Sequence, residues 1–102
     1  MTKPLVTNAA DETQVREADG KVKRGREKEL EDFRFLLGQK QGRRALWRIL
    51  NKTRVFQSSL HPSGSMVYFY EGIRNVGLDI MSDITEADPE SYFLMMKENR
   101  NV

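Results

Sequence analysis

Three carboxylates, Asp79, Asp83 and Glu86, recur at four- and three-residue steps, a spacing that on a helix gathers their oxygens on one face, as a hard cation would require. Neither a calcium-loop pattern nor a Glu-x-x-His partner accompanies them, so a solvated acidic face is the expectation. Ser58 and Ser59 stand close to the only histidine, His61. A serine nucleophile needs a base and a third group to orient that base, and no such motif surrounds the pair, which reads as a cap or turn. With no cysteine and one histidine, thiolate and multi-histidine metal sites are excluded. The sequence therefore predicts no catalytic residue, no metal and no cofactor.

Binding is better supplied. The stretch KQGRRALWRILNKTRVF, residues 40–56, holds six basic residues and no acid around the only tryptophan. At about 100° per residue, Ala45, Leu46, Ile49 and Leu50 share one arc with Trp47 at its edge, while Arg44, Arg48 and Lys52 align at four-residue spacing on the other side. Such a stripe can meet phosphates, with Trp47 or Arg43 near a base or sugar, or an acidic protein surface. The total formal charge is only +2, which favours the protein partner. Glu71 and Arg74 lie one helical turn apart with Asn75 beside them, placed either for a surface salt bridge or for a polar contact with a partner subunit. The candidate partner-binding set is thus Arg44, Trp47, Arg48, Lys52, Glu71, Arg74 and Asn75.

The elements that must carry these residues follow from apolar spacing. Residues 1–26 contain no aromatic and no sustained period, so they are expected to form a disordered or partner-ordered tail. Leu30, Phe33, Leu36 and Leu37 then recur at helical steps up to Gly38, predicting a helix over 27–37. The basic stretch predicts a second over 41–53. Pro62, Gly64 and four serines make 55–65 a loop whose Val55, Phe56 and Leu60 should fold back on the core. Phe69, Tyr70, Ile73, Val76, Ile80, Met81 and Ile84 share an arc of the longest helix, 66–86, in which Gly77 is placed to admit a close neighbour. Asp88 as N-cap and Pro89 as first helical residue start a fourth helix over 88–98. Met81, Met95 and Met96 sit among apolar neighbours and read as ordinary core.

An all-α fold follows, a compact bundle of about four helices in a single domain, 27–102, behind a flexible N-terminal tail. Its 102 residues allow one core. Charge is segregated along the chain: residues 28–54 carry eight bases against three acids, and 55–102 carry three against seven. A bipolar chain of this kind can pair with copies of itself as readily as with a polyanion. No run reaches the roughly 18 apolar residues of a membrane span, and the N-terminus lacks the apolar core of a signal peptide. A soluble protein without membrane contact is expected.

Taken in order, QGRRALWRIL (41–50), VFQSS (55–59), EGIRNVGLDIMSDI (71–84) and DPESYFLMMKE (88–98) resemble a family of small tailed-bacteriophage proteins of the Bordetella-podophage type. The resemblance runs from about Leu30 to Glu98. It implies a phage gene in the virion-structure module, near portal, scaffold and capsid genes, and no enzymatic activity. Partners would then be other virion proteins of the portal, capsid or tail region, with self-association or nucleic acid as further candidates, and the location the virion or the host cytoplasm. The position of Ile73 is often basic in that family, so this chain departs from the pattern there.

Overall fold

The computed structural model describes residues 9–100. Four helices follow one another, α1 (Ala9–Leu37), α2 (Lys40–Lys52), α3 (Gly64–Ala87) and α4 (Pro89–Asn99), and no strand occurs among the described residues. The fold is all-α, a compact helical arrangement in which α1 packs on α2 and α3, and α4 on α2 and α3. The Cα trace is only 15 Å deep in its thinnest direction, room for at most two helix layers at interaxial distances of about 8–10 Å. Every helix therefore keeps an outward face.

α1 differs most from expectation, since it begins at Ala9 and runs unbroken through the expected tail-to-helix boundary at 26/27. Residues 1–8 of the expected tail lie outside the described residues. Residues 11–25, those of this stretch whose burial is described, bury no side chain, so apolar periodicity has nothing to report there. Its helix rests instead on acids placed four residues ahead of bases, Glu12 before Arg16, Glu17 before Lys21 and Asp19 before Lys23, pairings that support an exposed helix by a few tenths of a kcal/mol each, roughly. The packed part of the chain starts at Arg26, close to the boundary read from the sequence.

From Leu30 onward the apolar stripe docks. Leu30 and Leu37 are buried and Phe33 packs beside them, whereas Leu36 turns outward. Leu46 and Leu50 of α2, Val55 of the following turn, Ile84 and Ala87 of α3 and Met95 of α4 complete the core, and Trp47, Ile80, Met81 and Tyr92 close its edges. On α3 the buried face centres on Gly77, Ile84 and Ala87, so Phe69 and Val76 of the expected apolar arc stand exposed at its margin.

Two glycines are required by close approach. At Gly77 an added Cβ would collide with the Thr53 hydroxyl, the Val55 methyl and, at 2.7 Å, the Thr53 Cβ, because the turn after α2 lies directly on this point of α3. At Gly42 it would collide with the Leu36 carbonyl oxygen and come within 2.8 Å of its carbon. The α1–α2 hairpin closes backbone to backbone there. Asp88 ends α3 and starts α4, with extended φ −163° and Pro89 following. Its carboxylate accepts from the Ser91 hydroxyl at 2.7 Å rather than from a backbone amide.

Candidate interaction surface

α2 turns Leu46 and Leu50 into the core, and that single commitment fixes where its charges go. Arg44, Arg48 and Lys52 emerge exposed, spanning about 12 Å at 1.5 Å per residue. Among the described residues none of the three joins an ion pair. The helix has no acid in its first turn, so nothing on α2 offsets the stripe.

The two other arginines of this stretch leave the surface. Arg43 reaches α4: its Nε and Nη2 donate to the two carboxylate oxygens of Glu98 at 2.9 and 2.8 Å, and Nη1 donates to the Leu37 carbonyl at 2.9 Å. This two-pronged pair is largely screened from water, and its hydrogen bonds hold the Glu98 carboxyl below the usual carboxylate range, with the nearby Lys40 charge helping. Arg43 is correspondingly more basic than usual, again through Glu98. Its role is to tie α2 to the end of α4, away from any base or sugar. Arg54 holds φ at 61°, an uncommon conformation for a side-chain-bearing residue, and lays its guanidinium 3.9 Å from the centre of the Tyr70 ring. That stack fastens the turn after α2 to α3.

Trp47 sits half-buried at one border of the stripe, its ring centre 5.1 Å from that of Phe56. Val55 is buried as expected, Phe56 stacks on Trp47 but stays exposed outside the core, and Leu60 remains in solvent. The other border is Ile49, expected in the core and found exposed. The stripe is therefore flanked by apolar surface on both sides.

The remaining sequence candidates are not brought to this surface. Glu71 and Arg74 are half-buried on α3 and Asn75 is exposed; no ion pair ties any of them to α2 among the described residues. Of the two readings left open for Glu71 and Arg74, the surface salt bridge does not form, and Arg74 Nε is buried without a hydrogen-bond partner. The acidic face of α3 is also revised. Asp83 and Glu86 each accept from Arg26 at 2.8 Å, with Glu29 joining at 3.2 Å, so this arginine of α1 gathers three carboxylates and is held protonated more firmly than usual, Glu86 contributing most. Asp83 and Glu86 thus help clamp two helices together, while Asp79 and the outer part of Glu86 still face solvent as expected. Among the described residues no group of three potential ligands stands ready for a metal ion.

In the loop, His61 Nδ1 accepts from the Ser63 amide at 3.0 Å, and the Ser58 hydroxyl accepts from the Leu60 amide at 3.1 Å. These are turn contacts, as read from the sequence. Among the described residues no helix is long and apolar enough to cross a membrane.

A family model described as Bbp19-like phage protein matches residues 33–97. The match takes in the end of α1, all of α2 and α3 and nearly all of α4, and leaves out the projecting part of α1. No curated protein and no solved structure matches the chain.

Proposed function

This chain belongs to the Bbp19-like phage protein family, and from that premise we propose that it is a non-enzymatic structural or virion-assembly protein that binds other phage proteins through the exposed basic face of α2. The observation that carries the reading is the division of labour among the bases of residues 40–54. Arg43 and Arg54 are spent on internal contacts, while Arg44, Arg48 and Lys52 are rigidly presented and unpaired among the described residues. A helix fixed on one side by Leu46 and Leu50 presents these charges with little further ordering cost, which favours binding. The complementary partner is an acidic protein surface of the portal, capsid or tail region, met in the virion or in the host cytoplasm. A chain of net charge +2 with three bases on this face neutralises few phosphates there, and exposed contacts weaken beyond a screening length of about 8 Å at physiological salt.

The test is the variant Arg44→Glu/Arg48→Glu/Lys52→Glu, followed by its incorporation into phage particles, with circular dichroism as the folding control. The expected result is an intact helical spectrum and lost incorporation. Normal incorporation and normal phage yield would overturn the proposal. A DNA-binding assay in graded salt separates the other class of partner, since three phosphate contacts would give a slope near −3 in log affinity against log salt, at about −0.9 per contact.

A further inference from the structure

α4 buries Ser91 and Met95 and turns the opposite side outward. There Glu90, Phe93, Leu94 and Lys97 line a shallow groove at steps of three, one and three residues, which places all four within one arc of the helix. Phe93 is 63% exposed and Leu94 40% exposed, so the centre of the face is apolar and open. Glu90 and Lys97 stand at its two ends, two turns apart and too distant to pair with each other. Neither joins an ion pair among the described residues.

This pattern is its own complement. The midpoint between Glu90 and Lys97 coincides with the midpoint between Phe93 and Leu94. A two-fold axis through that point, perpendicular to the helix, sets a second α4 antiparallel on the first. Glu90 then faces Lys97 of the other copy, Lys97 faces its Glu90, and each Phe93 meets a Leu94. A parallel pairing would instead oppose acid to acid and base to base. Arg100, one turn beyond Lys97, falls opposite Ala87 and meets no like charge. The core requires none of the four side chains, and a two-fold contact uses one patch twice.

We infer that the outer face of α4 is an isologous homodimer contact, closed by an antiparallel α4 pair with Phe93 and Leu94 at its centre and two Glu90–Lys97 bridges at its rim. A helix of 11 residues is about 16 Å long, so the contact falls well below the roughly 800 Å² per partner of a standard stable interface. Dimerisation is accordingly weak and becomes effective where copies are concentrated. The inference stands apart from the α2 reading, because the triple α2 variant leaves residues 90–97 untouched and should self-associate as before.

The experiment is sedimentation equilibrium of the full chain up to millimolar concentration, with helicity checked for each variant. Glu90→Lys and Lys97→Glu, each alone, place like charges opposite one another twice and should weaken self-association at least about tenfold. Mixed together, the two variants should recover it, since every rim pair in the mixed dimer is again of opposite sign; the double variant Glu90→Lys/Lys97→Glu should recover it within one chain. Phe93→Ser should abolish association without loss of helix. A wild-type chain that stays monomeric at millimolar concentration overturns the inference, as do single charge variants that associate normally or a mixture that fails to recover.

Discussion

Adding one methyl group at three different glycines should move stability in opposite directions, because the fold crowds two of them and leaves the third open. At Gly72, exposed within α3, an added Cβ meets nothing within 4 Å. Alanine there gains only helix propensity, about 0.5–1 kcal/mol. At Gly42 the same methyl gains the same propensity but stands 2.8 Å from the Leu36 carbonyl carbon and 3.0 Å from its Cα, where carbon atoms prefer about 3.5–4.0 Å. No rotamer change relieves a clash with backbone. The α1–α2 hairpin must open, at an overpacking cost at the upper end of about 1–3 kcal/mol, for a net loss near 2 kcal/mol. Gly77→Ala meets Thr53 and Val55 side chains instead, but the Thr53 hydroxyl already donates to the Ile49 or Leu50 carbonyl at 3.0 Å, so moving it sacrifices that bond. At about 4–8 °C per kcal/mol for a domain of this size, thermal unfolding followed at 222 nm should show Gly72→Ala raised by several degrees, Gly42→Ala lowered by about 8–16 °C, and Gly77→Ala lowered by a similar or smaller amount. A Gly42→Ala protein as stable as Gly72→Ala would refute the close hairpin.

Two further outcomes follow from the packing. Because the Arg43 pair depresses the Glu98 carboxyl, its stabilisation is full above the unfolded glutamate value of about 4.3 and is lost as pH falls through the lower folded value; melting temperatures of Glu98→Gln should be lower at pH 7 by an amount equivalent to about 1 kcal/mol and converge on wild type in acid, and a constant gap down to pH 2 would contradict this. Trp47→Ala should cost about 2–3 kcal/mol, less than the 3–5 of a fully buried ring, since the indole is only half-buried against the core, and a urea midpoint within error of wild type would show that the ring supports nothing.

Much of this architecture was legible in the sequence wherever apolar spacing dictated it. The stop at Leu37 and the boundary at Asp88 follow from Gly38 and Pro89, the close contact at Gly77 from a glycine on the apolar arc of a helix, and the core roles of Leu46, Leu50 and Ile84 from which side chains must leave water. The exposed positions of Arg44, Arg48 and Lys52 follow from the same rule applied to the opposite face. What escaped was long-range and polar. Arg43 and Glu98 are 55 positions apart and Arg26 and Glu86 are 60 apart, so no local spacing announces either pair. Ile49 and Val76 were misplaced because a periodic arc locates a buried face only to within a residue or so at its edges. Gly42 gave no signal either, being one glycine in the first turn of a helix whose neighbour across the hairpin is backbone.

The unbroken course of α1 through Arg26 has a geometric consequence of its own. Between Ala9 and the three-carboxylate clamp at Arg26 the helix is a rod about 25 Å long, given 1.5 Å per residue, and its azimuth is locked to the body. Substituting an outward residue along it leaves that bearing unchanged, whereas inserting a single residue turns the far end by about 100° and two residues by about 200°. Seven added residues nearly restore the original phase while lengthening the rod by about 10 Å. The N-terminal rod is thus forgiving of spelling and sensitive to counting, and whatever meets its tip is presented with a direction as well as a distance.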